Sequence, residues 1–200
     1  FNAAQKEELQ SIIKDYIYEN PEVIFESVQR YQEKSQQEQM EQAAKKIPEY
    51  KEFLEGKDNP SIGPKDAKVT VIEFFDFNCG YCKEAYHDIA KLSKEHPKVR
   101  FVFKELPILS PTSKLAAEWA LAAHRQGKYF EFHAAIMEHK GAIDEALMKK
   151  IGENLKLDLA KLEKDAADPA VAEELDKNQQ VASDIGIRGT PGFIINGKSY

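Results

Sequence analysis

The sequence predicts an α/β fold preceded by a helical arm, and three observations carry that reading. An apolar run at 68–77 (KVTVIEFFDF), a helix-period stretch at 82–94 and a second apolar run at 99–106 have the spacing of a strand–helix–strand unit with parallel strands. Helical patterning then fills 113–185 before strand signal returns at 193–195. Ahead of all this, residues 2–31 carry two amphipathic helical patterns and no strand signal.

In 2–19, Leu9, Ile12, Ile13, Tyr16 and Ile17 share one helical face. Asn20-Pro21 ends that helix and starts the next, with Asn20 as cap and Pro21 at the first helical position. Ile24, Phe25, Val28 and Tyr31 then recur at three- and four-residue steps. Two short amphipathic helices do not bury such faces well enough to stand alone, so the arm needs a partner. From 32 to 46 the apolar face disappears; strong helix formers without a stripe indicate a solvated connector, helical or fluctuating. Pro48 marks its end, a short helix follows near 49–54, and the loop GKDNPSIGP leads into the first strand. The helix at 82–94 aligns Ala85, Ile89 and Leu92. Gly127, Gly141 and Asp168-Pro169 punctuate the long helical region. Asn196-Gly197 is a hairpin-turn dipeptide, and the chain is expected to continue beyond Tyr200 with a strand and a closing helix.

Two hundred residues, 42% of them hydrophobic, suffice for one good core and a smaller appendage. A net charge of −6 and the lack of a basic stripe argue against a nucleic-acid or anionic-membrane surface. The longest apolar stretches, such as 71–77, are broken by acids, so no membrane insertion is expected. The start at Phe1, without a basic region and apolar run, fits an exported protein whose signal has been removed, or a trimmed chain.

Cysteine occurs only at Cys79 and Cys82, in one four-residue window. Disulfides that staple a secreted fold come in more pairs at wider separations, so these two serve chemistry. A CxxC that follows a hydrophobic strand and opens a helix has a definite use. The N–H groups and dipole of the helix start stabilise a thiolate on the first cysteine. Cys79 is then the nucleophile, and Cys82, one turn in, closes a disulfide behind it. The alternative is a metal site. Two thiolates leave zinc short of ligands, and His87, His96, His124, His133 and His139 show no ligand spacing. No metal and no cofactor is assigned. Strand alternation puts Glu73 on one face with Val69, Val71, Phe75 and Phe77. An acid there should have a raised pKa, suited to taking a proton from a buried Cys82; a structural ion pair is the other use of such a residue.

FFDFNCGYCKEA, FKELPIL and GIRGTPGFIINGK, in that order, resemble the DsbA-like branch of the bacterial thioredoxin superfamily over about residues 58–200. With the N-terminal arm added, the chain is similar to periplasmic suppressor-of-copper-sensitivity C proteins and related oligomeric disulfide isomerases. The resemblance implies a thioredoxin-like fold with a helical insertion. It implies that Pro191 is cis beside the active site, and that the backbone at Thr190 pairs with an extended substrate segment. Glu73 stands where the family carries its buried acid, and Lys104 matches its buried lysine partner. Between the cysteines, Gly80 and Tyr81 set the redox poise and face the substrate. Tyr81 replaces a histidine frequent in the oxidases, which implies a milder oxidant than the roughly −120 mV end of the scale. CGYC with Thr before the cis-Pro also resembles the site of DsbC-type isomerases. The expected protein is a periplasmic disulfide isomerase acting on misfolded proteins, a homo-oligomer and by resemblance a trimer, kept reduced by a membrane-bound thiol reductase. A DsbA-like oxidase and a periplasmic copper(I) carrier are the rival readings. The expected organisation is an arm and connector at 1–46, a first catalytic part at 47–111, a helical insertion at 112–185 and a second catalytic part at 186–200.

Overall fold

A computed structural model describes residues 2–200; Phe1, the first residue of the expected arm, lies outside them. The chain divides into two units between Gln42 and Ala43. In the first, helix α1 (Ala3–Glu19) opens on a capping box, Asn2 and Gln5 each accepting the other's backbone N–H. Asn20 serves the helix behind it, since its backbone N–H and side-chain amide both donate to the Tyr16 carbonyl. Helix α2 (Glu22–Ala44) runs through the expected connector, supported by side-chain pairs Gln29–Glu33, Lys34–Glu38 and Gln37–Glu41 at four-residue spacing. Neither helix buries a residue: Leu9, Ile12, Ile13, Tyr16, Phe25, Val28 and Tyr31 are all exposed.

The second unit begins with a 3-10 turn (Ile47–Tyr50) and α3 (Lys51–Glu55). Its sheet comprises β1 (Ser61–Ile62), β2 (Val69–Phe75), β3 (Val99–Glu105), β4 (Gly192–Ile195) and β5 (Lys198–Ser199), in the order β1-β3-β2-β4-β5. β2 and β3 are parallel and are joined through α4 (Gly80–Glu95); the other pairings are antiparallel. Strand β1 lies in the stretch expected as loop. Gly63, at φ 93°, lets the chain leave it, because a Cβ there would meet the Val99 carbonyl at 2.2 Å. Asn196 and Gly197 turn β4 into β5 with φ of 47° and 80°, as a type I′ hairpin requires.

Helices α5 (Pro111–His124), α6 (Tyr129–Met137), α7 (Glu145–Asn154), α8 (Leu159–Ala166) and α9 (Pro169–Asp184) supply the expected helical region. Alternation along the strands separates two cores. Phe75, Phe77, Phe101 and Phe103 pack with Tyr86, Trp119 and Phe132; Ile72, Phe74 and Val102 pack with Leu54, Val181 and Ile185. Helix α4 turns Cys82, Tyr86 and Ile89 inward, while Leu92, expected on that face, is 39% exposed. The architecture is thioredoxin-like with an N-terminal helical region.

Candidate active site

Strand β2 ends at Phe75, and Asp76-Phe77-Asn78 turns the chain into α4. The turn is held by its own polar groups. The Asp76 carbonyl accepts the Cys79 N–H at 3.0 Å, and Asp76 Oδ1 accepts the Asn78 N–H at 2.8 Å. Cys79 is thereby set as the N-cap of α4, with extended φ and ψ of −80° and 119°. Its Sγ accepts the Cys82 N–H at 3.3 Å, the place where a capping oxygen usually sits. The Cys79 thiol in turn donates to the Thr190 carbonyl at 3.3 Å, and the Thr190–Pro191 peptide is cis. Cys79, Cys82, Thr190 and Pro191 are thus gathered from positions more than a hundred residues apart.

Cys79 is 6% exposed and Cys82 fully buried; both are free thiols. Burial pushes the Cys82 thiol well above its ordinary value; the neighbouring Cys79 raises it too, against the lowering effect of hydrogen bonds to the Asp76 backbone and Thr190. Tyr81, between the two cysteines, is 74% exposed; Ile108 and Leu109 are exposed as well. Nothing lies within 4 Å of the Cβ position of Gly80.

Asp76 and Asn78 are site residues that the sequence reading passed over. The buried Asp76 carboxylate reaches across to the loop after β3, where its Oδ2 accepts the N–H groups of Ile108 and Leu109 at 2.9 and 3.0 Å. The Asn78 amide donates to the hydroxyls of Ser110, Thr112 and Ser113 at 2.9–3.0 Å, and Ser110 caps α5. The signal was present: two Asx residues at a strand end, directly before a CxxC, mark a side-chain-locked turn.

Glu73 is 2% exposed, Oε1 has no protein partner, and burial raises its carboxyl to about 8. Its expected partner is elsewhere. In the parallel register Glu73 lies beside Phe103 and Phe74 beside Lys104, so Lys104 projects from the opposite face of the sheet. There its ammonium donates to Asn59 Oδ1 at 2.8 Å and sits 3.8 Å from the centre of the Phe53 ring, while burial lowers its pKa. The pairing of Glu73 with Lys104 is therefore corrected by one position of strand register. Among the described residues, no cluster of three or more His, Cys, Asp or Glu side chains is arranged to hold a metal ion, and no helix is long and apolar enough to cross a membrane.

Comparison with known proteins bears on this geometry. The profile of the DSBA-like thioredoxin domain matches residues 70–200, and that of the copper resistance protein ScsC N-terminal domain matches residues 5–38. The thiol-disulfide exchange protein alpha-DsbA2 of Wolbachia pipientis superposes with a TM-score of 0.73 at 30% identity, over 79% of this chain and 87% of that one. ScsC of Proteus mirabilis, in a transitional conformation, gives a TM-score of 0.72 at 26% identity, over 100% of this chain and 91% of its own. Among curated sequences, Na(+)/H(+) antiporter NhaA 3 of Salinispora tropica is 34% identical over 140 residues, 69% of this chain. The match spans only 22% of that antiporter's length.

Proposed function

The chain belongs to the DSBA-like thioredoxin family, and we propose that it is a thiol–disulfide oxidoreductase working as a disulfide isomerase on misfolded exported proteins. Cys79 attacks a non-native client disulfide; the client S–S bond breaks, a mixed disulfide forms, and one client sulfur leaves as thiolate. A second client thiol then resolves the mixed disulfide, completing isomerisation, or Cys82 does so, completing reduction. Thr190 and Pro191 line the client's path together with Gly80 and Tyr81, and Glu73 takes the proton that Cys82 must shed. Lys104, on the opposite sheet face, supports the fold there rather than the proton transfer.

The observation that carries the isomerase reading is the arm, α1 and α2, whose apolar side chains are exposed along both helices. We assign 1–46 to oligomerisation and connection, 47–111 and 186–200 to the catalytic domain, and 112–185 to its insertion. A trimer would present several dithiols to one client, which favours repeated reshuffling over a single oxidation. The likeness of 5–38 to the N-terminal domain of ScsC supports this assembly and a periplasmic setting, with a membrane-bound thiol reductase keeping the dithiol reduced. The test compares the full chain with a chain lacking residues 1–46 on a scrambled multi-disulfide substrate. The shortened chain should still exchange disulfides but unscramble poorly; equal unscrambling would favour the DsbA-like oxidase, as would a mostly oxidised dithiol in the native compartment. The copper-resistance description of the matching domain also favours a copper(I)-carrying reading. Tight stoichiometric Cu(I) binding with no effect on scrambled substrate would support that instead.

A further inference from the structure

The face of the sheet that carries Glu73 holds a second acid. Glu73 lies beside Phe103 and Phe75 beside Glu105, so the two carboxyls project into one interior from neighbouring strands. Both residues are buried, and each keeps an oxygen without a protein partner, Glu73 Oε1 and Glu105 Oε2. The other Glu105 oxygen accepts the hydroxyl of Tyr129, the first residue of α6. One turn on, the buried His133 packs against Phe75, Phe103 and Tyr129 with both ring nitrogens unpartnered. Unpartnered polar atoms in a core are costly, and this many on one sheet face exceed what packing alone requires. Burial raises both carboxyls to about 8 and drops the imidazole to about 3, so a proton in this interior resides on a carboxyl. Tyr129 also lines a surface cavity of about 420 Å³ with Lys57, Lys65 and His124, and so stands between that cavity and the buried acid.

We propose that Glu105, held by Tyr129, is a second proton-relay residue of the exchange reaction, passing a proton between Glu73 and the cavity beside Tyr129. The inference rests on Glu73 being the base for Cys82. When Cys82 resolves a mixed disulfide, its Sγ attacks Cys79 Sγ. The bond from Cys79 to the client sulfur breaks, the Cys79–Cys82 bond forms, and the client sulfur leaves with the electron pair. The proton shed by Cys82 passes to the Glu73 carboxylate and on to Glu105; reduction of the disulfide returns it by the same route. The charged and titratable groups around this path are Tyr129 and His133 of α6, Glu174 of α9 and Lys104 on the strand of Glu105, while Asn178 of α9 donates to the Glu105 carbonyl.

The experiment is single-turnover release of a thiol probe from its mixed disulfide with the full chain, followed from about pH 5 to about pH 10. Glu105→Gln keeps an acceptor for the Tyr129 hydroxyl. It should slow release about tenfold and move the midpoint of the pH profile by about half a unit or more, because one of the two buried acids on the path no longer titrates. In a Glu73→Gln background the same change should add nothing, as a residue acting through Glu73 requires. An unmoved midpoint, or equal slowing with and without Glu73, overturns the proposal and leaves the role of Glu73 standing. Unchanged release in Glu73→Gln alone overturns both. Should Glu105→Gln fail to fold, Tyr129→Phe removes only the hydroxyl that holds Glu105; it should slow release and move the same midpoint, and an unmoved midpoint again overturns the proposal.

Discussion

Cys79 and Cys82, three residues apart, meet opposite surroundings. Cys79 Sγ faces the start of α4 and the Thr190 carbonyl, whereas Cys82 is shut into the core and its thiol is pushed up chiefly by burial. Iodoacetamide at mildly acidic pH should therefore alkylate Cys79 well before Cys82, which peptide mass mapping reads directly. Cys79→Ser should abolish exchange, while Cys82→Ser should accumulate mixed disulfides with clients, visible on non-reducing gels. Glu73 links the same interior to stability. Its proton is held more tightly folded than unfolded, so its contribution is complete below the ordinary value of 4.5 and is lost as pH rises towards about 8. The stability of Glu73→Gln relative to the parent should accordingly grow from about pH 5 to about pH 8, by at most on the order of 1.4 kcal/mol per pH unit. Urea unfolding measures it, and a pH-independent difference would show that Glu73 does not titrate. The burial of Glu73 was legible because it interrupts an alternating apolar face. The side of Lys104 was not, because β3 is buried on both faces from Arg100 to Glu105, and such a strand has no polar face to set its phase.

At the scale of elements, the turn Asp76-Phe77-Asn78 fastens β2, α4, the loop after β3 and the start of α5 to one another. Asp76→Ala would leave the N–H groups of Asn78, Ile108 and Leu109 without their acceptor. It should cost about 2–4 kcal/mol in urea unfolding and slow client attack, whereas Asp76→Asn, which keeps an acceptor oxygen, should lose less. The main strands and helices were readable from their periods. Strand β1 was not: its two residues, between Pro60 and Gly63, are too few to display a period, and Phe103 recruits them by donating to the Pro60 carbonyl. The inward face of α4 was legible at Ile89, but it continues through Tyr86 and not through Leu92. A tyrosine reads as half polar, and its ring is buried here while its hydroxyl finds Glu138 at 2.8 Å.

At the scale of the whole molecule, the arm exposes large apolar side chains along both helices, as a surface for association would. Each large side chain buried on association contributes about 1.5–3 kcal/mol before the cost of assembly. Light scattering should find a homo-oligomer, and Phe25→Glu with Val28→Glu should give a monomer with an intact dithiol; a monomeric parent chain would remove the basis for the isomerase reading. The apolar pattern of the arm was legible from its spacing alone, but what covers it was not, since a sequence displays only its own side of an interface. The grip of the Asn78 amide on Ser110, Thr112 and Ser113 reaches further than the site it borders. The same hydroxyl that begins α5 also fastens the turn ahead of Cys79, so the first turn of the helical insertion cannot fray without loosening the ground under Cys79. Catalytic strand and insertion should then breathe together: in native-state hydrogen exchange, the amides of Asn78, Cys79, Ile108, Leu109 and Ser113 should become labile as a single cooperative opening, sharing one free energy and one dependence on denaturant.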